Sequence, residues 1–278
     1  MKEKRTLMDI VWRVVLYAWS LTILFPLIWV IYESLKSNPE FFKDIWALPA
    51  ELRWQNYSKA WNQYGFGQSL LNTLYYVGGS LVLGLFFTTI NAYALTRMQF
   101  KGRKLIWGLI MLSLFLPGIN ALVPQYVIMR ELSLTNSLTG LILLSSLGES
   151  VFYLMLLGGF MSSLPMELEE SATMDGATLF QKFWRVIVPL STPGIVTVGV
   201  FKFLGYYNNF LAPFIYLSDP KKYPIAVQMY SANKQMEFTA DWVTLFAGVT
   251  IAMVPSIIIY ILFQKLLMEG ATMGAVKG

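Results

Sequence analysis

Glu169-Glu170-Ser171-Ala172-Thr173-Met174-Asp175-Gly176-Ala177 is a polar, acid-bearing island between two apolar runs, each long enough to cross a bilayer. An acid-rich helical turn, a Gly free to adopt positive φ, and an amphipathic stretch carrying Phe180, Phe183, Trp184 and Ile187 together predict a helix-turn-helix at the membrane surface. Such an element suits a groove on a soluble partner.

The rest of the chain explains why the island is conspicuous. Of its 278 residues, 56% are hydrophobic and only 13% are charged, with a mean hydropathy of +0.54. A soluble domain of this size cannot hide that much apolar surface, so the fold class is an all-α polytopic membrane protein. There is no Cys and no His, which removes disulfides, thiolate and imidazole metal ligands, and the usual proton shuttles. No P-loop of the form GxxxxGK[ST] occurs, so this chain does not harvest ATP in the usual way, and nothing points to nucleic acid. The sequence also shows no convincing internal repeat, the mark of many secondary transporters.

A membrane-crossing helix needs roughly 20 mainly apolar residues. About six candidates follow, near residues 11–33, 70–96, 105–129, 137–162, 192–217 and 242–267, within a single transmembrane domain covering residues 1–278. The first run follows Lys2, Lys4 and Arg5 without a small-residue cleavage site and is expected to be retained. Lys and Arg counts put Lys2, Lys4, Arg5, Arg97, Lys101, Arg103, Lys104, Lys182, Arg185, Lys265 and Lys277 inside. They put Lys36, Lys43, Arg53, Lys59, Arg130, Lys221, Lys222 and Lys234 outside. The short Arg97 to Lys104 loop, with four bases, is the strongest witness, and both termini are expected in the cytoplasm. Trp46, Trp54, Tyr57, Trp61 and Tyr64 in the first outer loop, with Tyr216, Tyr223 and Trp242 near later span ends, fit interfacial belts. Pro117, Gly118 and Pro124 predict that the third span is kinked or interrupted.

Polar groups at membrane depth are functional candidates because they are costly there. Glu149 in the fourth span and Lys202 in the fifth run at comparable depth and are expected to pair. Asn120 and Gln125 flank the third-span helix breakers. The fifth span offers Tyr206, Tyr207, Asn208 and Asn209 in a row. Successive residues cannot share one helix face, and Tyr207 and Asn208 are the pathway choices from that run. No metal site is expected.

From Leu164 the chain reads LPMELEESATMDGATLFQKFWRVIVPLSTPGI. This resembles the EAA motif of permease subunits of binding-protein-dependent ABC importers, carried by Glu170, Ala172, Asp175, Gly176, Ala177, Phe183, Ile187, Pro189 and Pro193, with Ser171 in place of Ala. Leu52-Arg53-Trp54-Gln55-Asn56-Tyr57, Asn72-Thr73, Asn208-Asn209-Phe210 with Leu217-Ser218-Asp219-Pro220, and the tail Gly274 to Gly278 look like the carbohydrate permeases typified by the smaller permease subunit of the maltose importer.

The resemblance implies the type I importer permease fold in a bacterial inner membrane, and a cytoplasmic coupling loop over residues 163–191. Glu169, Glu170, Ala172, Asp175, Gly176, Ala177, Phe180 and Phe183 would dock an ATPase subunit. It implies a second homologous permease subunit, two ATPase subunits that use ATP and magnesium, an extracytoplasmic solute-binding protein, and a sugar or oligosaccharide carried inward by alternating access. This chain would then be no enzyme and bind no cofactor, touching lipid, cargo and partner proteins. The tail with Gly270, Gly274, Lys277 and Gly278 is expected to reach between the ATPase subunits. Glycerol phosphate is the alternative cargo. An ion-coupled carrier running on Glu149 and Lys202 is the alternative class, and it would leave the Glu170 to Pro193 stretch unexplained.

Overall fold

The computed structural model describes residues 7–115, 121–148 and 151–275, and among them there is no strand. The helices in chain order are α1 Leu7–Glu33, α2 Asn38–Lys43, α3 Gln55–Asn62, α4 Phe66–Thr96, α5 Arg103–Leu112, α6 Leu122–Glu131, α7 Leu138–Leu147 and α8 Val151–Ser162. They continue with α9 Glu167–Met174, α10 Leu179–Lys182, α11 Val188–Leu190, α12 Thr192–Tyr207, α13 Leu211–Tyr216, α14 Ile225–Thr239 and α15 Trp242–Ala275.

Three of these contain a stretch long and apolar enough to cross a membrane unbroken, at Ile10–Glu33, Phe66–Thr96 and Trp242–Lys265. The other expected spans are not single straight helices. The expected third span takes in α5, a tight turn at Ser113–Phe115 and α6, with Pro117 and Gly118 outside the described residues; Pro124 sits in the first turn of α6, where a missing N–H costs nothing. The fourth is α7 and α8, inclined at 54°; the amide of Gly148 closes α7 on the Leu144 carbonyl. The fifth stops at Tyr207, because the Asn208 side chain bonds back to the Leu204 carbonyl and the Asn209 carboxamide accepts the Ala212 N–H to start α13.

The chain forms two compact units, Met1–Gln68 with Gln228–Val254, and Ser69–Val227 with Pro255–Gly278. In the first, Trp29 and Phe41 both meet Phe246 edge-on, with ring centroids 5.5 Å apart. Asn38 and Thr244 each donate to Asp241 at 2.8 Å. Just past α1, Lys36 Nζ lies 2.7 Å from Glu33 Oε1, and both side chains are buried. Burial opposes the Lys36 charge, but its bonds to Glu33 and Tyr32 outweigh burial and leave the ammonium above its ordinary pKa.

The second unit packs α4, α8 and α12 around Ala92, Tyr93, Leu95, Leu154, Leu157, Met161 and Val198, and Phe183 and Ile187 insert from the segment between α8 and α12. That segment contains the acid-bearing island from Glu169 to Ala177.

Candidate functional site

Residues 163–191 fold as two short helices joined by a tightly specified turn. At the end of α9 the Ala177 N–H bonds the Ala172 carbonyl and the Gly176 N–H bonds Thr173, the paired bonds of a Schellman cap. This cap requires a left-handed residue, and Gly176 supplies it at φ +79°. Two residues on, Thr178 caps α10. Its hydroxyl accepts the Gln181 N–H, and the Gln181 side chain accepts the Thr178 N–H in return. Lys182 then donates to the Thr173 hydroxyl at 3.1 Å, tying the second helix back to the first. Every step of the turn is therefore held by a named bond.

Past Lys182 the helix widens into a π turn, in which the Val188 N–H reaches five residues back to Phe183. Pro189 follows and can donate nothing. The widening brings Phe183 and Ile187 onto the core side together, with the Phe183 ring 5.1 Å from Tyr93. After Ser191, α12 leaves at 74° to the preceding helical segment.

The expected docking residues divide into two groups. Glu170, Asp175 and Gly176 are exposed, Ala172 and Ala177 are half-buried, and Phe180 is 71% exposed. Met174 at 88% and Leu179 continue this apolar surface around the turn. Exposed apolar patches rimmed by charge are a mark of interaction sites. Glu169 and Phe183 instead point inward, at 6% and 7% exposure. Glu169 Oε2 accepts the Tyr93 hydroxyl at 3.2 Å, and Glu169 Oε1 lies 3.4 Å from Arg97 Nε. Arg97 also donates to the Leu164 carbonyl where the segment begins. Neither Arg97, a topology marker in the sequence, nor Tyr93 carried a site role there; their i, i+4 spacing at the end of α4 and just past it was the available signal.

The pathway residues are similarly sorted. Asn120 and Glu149 lie outside the described residues, so the expected Glu149–Lys202 pair does too. Lys202 is buried, with its ammonium 4.7 Å from the Tyr153 ring centroid and 6.0 Å from that of Tyr206. Gln125 accepts the Tyr216 hydroxyl at 3.3 Å. Tyr207 is buried and stacks on Phe203, whereas Asn208 is exposed and spends its amide on its own helix end. The neighbour not chosen, Asn209, reaches Tyr76 Oη at 3.3 Å. Tyr76 shares a 2.9 Å bond with the Ser145 hydroxyl, and Tyr206 donates to the Ser145 carbonyl at 3.3 Å. This polar network joins α4, α7 and the α12–α13 break. Tyr206 can approach α4 because residue 84 is Gly; a Cβ there would stand 2.6 Å from its hydroxyl.

Residues 80–270 match the family described as binding-protein-dependent transport system inner membrane component. The chain is 31% identical to the diacetylchitobiose uptake system permease protein NgcG of Streptomyces coelicolor, over 94% of this chain and 87% of that one. It is 33% identical to the sulfoquinovosyl glycerol transport system permease protein SmoH of Agrobacterium fabrum, over 92% and 89%. A crystal structure of a bacterial ABC transporter involved in import of the acidic polysaccharide alginate contains a chain of the same fold, with a TM-score of 0.83 at 23% identity, covering 95% of this chain and 99% of that one.

Proposed function

Because the chain belongs to the family of binding-protein-dependent transport system inner membrane components, a multi-pass inner-membrane transport subunit rather than a hydrolase, we propose that it carries a sugar or oligosaccharide into the cytoplasm. Its relatives include permeases named for diacetylchitobiose, trehalose and melibiose, which supports a saccharide cargo over glycerol phosphate. Separate ATPase subunits supply the energy, a second related permease completes the pathway, and a solute-binding protein delivers the cargo.

The observation that carries the mechanical part is the turn at Gly176. A Schellman cap and a capping box hold Met174, Leu179 and Phe180 outward, while Glu169, Phe183 and Ile187 anchor the same segment against α4 and α8. An element exposed on one side and locked on the other passes displacement instead of absorbing it. Closure of the ATPase subunits around nucleotide moves this element, and the helices behind it rock between outward- and inward-open arrangements. The polar network around Tyr76, Tyr206 and Asn209 faces the cargo with hydroxyls and an amide, groups suited to saccharides.

Affinity purification in mild detergent tests the reading, followed by ATP hydrolysis in liposomes with the co-purified binding protein and a panel of sugars. Co-purified ATPase subunits stimulated by one saccharide support it. Uptake by the chain alone under an ion gradient would overturn it.

A further inference from the structure

At the end of α4 the second unit opens a cleft of about 510 Å³, lined by Leu95, Thr96, Trp107, Ser162, Arg103 and Lys104. Its lining is of two kinds, apolar and polar. Leu95 and Trp107 belong to the apolar side, and both join the core formed by α4, α8 and the π turn. The Thr96 and Ser162 hydroxyls are spent on carbonyls of their own helices, Ala92 and Gly159. The remaining polar lining, Arg103 and Lys104, is cationic. Arg103 is fixed by bonds from its two terminal nitrogens to the Met98 and Thr96 carbonyls, at 3.1 and 3.2 Å. Lys104 and the neighbouring Lys101 are exposed.

The electrostatics call for a counterion. Arg103 and Lys104 form the first turn of α5, which contains no acid, and Gly102 at its start provides no side-chain cap. Cations at the positive end of a helix repel it; an anion is what that position favours. The cleft also lies at the last turn of α4, one of the helices long and apolar enough to cross a membrane. A diffusible phosphate would satisfy the cations and leave the apolar lining at Leu95 and Trp107 unfilled. A phospholipid fills both.

We infer that this cleft binds one anionic phospholipid of the inner leaflet, its headgroup phosphate on Arg103, Lys104 and the start of α5, and an acyl chain along Leu95 and Trp107. The inference rests on the cytoplasmic orientation proposed for the Arg97 to Lys104 loop. Since the cleft borders Thr96, one residue before Arg97, the lipid steadies the α4 end to which the coupling segment is anchored.

The test is native mass spectrometry of the purified permease–ATPase complex, titrated with phosphatidylglycerol or phosphatidylcholine. One phosphatidylglycerol should bind more tightly than any phosphatidylcholine. At roughly fivefold per surface cation, Lys104→Gln should weaken that lipid about fivefold and the Lys101→Gln, Lys104→Gln pair about thirtyfold. Lys104→Arg should restore binding to within about twofold. These variants alter exposed side chains and keep Arg103 in place. Equal affinity for the two lipids, unchanged affinity in the double variant, or full displacement by inorganic phosphate at equal concentration would overturn the inference. Maleimide labelling of a Lys101→Cys variant in oriented vesicles reports the sidedness of the loop separately, so failure of the topology and failure of the lipid site are distinguishable.

Discussion

Arg97 and Glu169 face one another across 3.4 Å in the interior, one directly after the end of α4 and the other on α9. Neither Arg97 Nε nor Glu169 Oε1 makes a hydrogen bond, although both atoms are buried. The contact is thus coulombic at this point, while Tyr93 and the Leu164 carbonyl hold the two side chains from their other ends. A buried charge pair is weak evidence of net stability, but removing one member leaves the other stranded.

Replacing Arg97 with Gln should therefore destabilise the detergent-purified complex by about 3 kcal/mol, the low end for a broken buried pair because Tyr93 still serves the carboxylate. Glu169→Gln should cost less, since an amide oxygen still accepts from Tyr93. The double variant should be closer to wild type than the sum of the two singles, with a coupling energy above about 1 kcal/mol in a thermal-unfolding cycle. Simple additivity would show that the two charges do not sense each other.

Gly176 has open space around the position of a Cβ, so only its backbone constrains substitution. At φ +79° an L-residue costs roughly 1–2 kcal/mol, and Asn tolerates the region best. Gly176→Leu should abolish ATPase association or coupling with membrane insertion intact, Gly176→Ala should be intermediate, and Gly176→Asn should retain the most function. Sugar uptake at the wild-type rate in the Leu variant would remove this turn from the mechanism.

Phe180 and Phe183 separate docking from packing. Phe183 is in the core, so Phe183→Ala should lower stability by about 3–5 kcal/mol. Phe180 is on the surface, and Phe180→Ala should leave the melting temperature of the isolated permease within error while weakening co-purification of the ATPase. A matched loss of stability in both variants would contradict the division.

Much of this was legible in the sequence, and the illegible part has physical causes. The turn at Gly176 was readable because a left-handed residue between two capped helices has a local signature. The inward turn of Glu169 was not, because it depends on Arg97 and Tyr93, more than 70 residues away. The fifth span read as continuous because apolar content continues through it; its break is made by the side chains of Asn208 and Asn209, and composition does not register which of two neighbouring amides caps a helix and which reaches across to another.

Acid should loosen the segment after α1 through Glu40. Its carboxylate accepts the Ser37 N–H at 2.8 Å, the Ser37 hydroxyl at 2.7 Å and, more distantly, the Ala50 N–H at 3.4 Å, and these bonds to the charged form hold its pKa below the ordinary 4.5. The native value is the lower one, so the contribution is fully present above pH 4.5 and is lost as pH falls through the depressed native value. Hydrogen exchange of residues 37–50 should accelerate in that window. Glu40→Gln preserves the capping box and should flatten the dependence; an unchanged acid response in that variant would assign it to another group.

The polar network gives the last test, because it pits adjacent residues against each other. Asn209 touches Tyr76, which touches Ser145, whereas Asn208 bonds only within its own helix end among the contacts described. Asn209→Ala should lower sugar-stimulated transport several-fold with ATPase association unchanged, while Asn208→Ala should cost about 1 kcal/mol of stability, the value of a net hydrogen bond, and little transport. Gly84→Ala supplies an independent route to the same network. Its methyl would press on the Tyr206 hydroxyl from 2.6 Å, pushing it off the Ser145 carbonyl without removing any polar group. If both Asn209→Ala and Gly84→Ala impair transport with the same sugar, the network borders the cargo's route. If transport survives Gly84→Ala while the Tyr206 bond is lost, the hydroxyls serve packing alone.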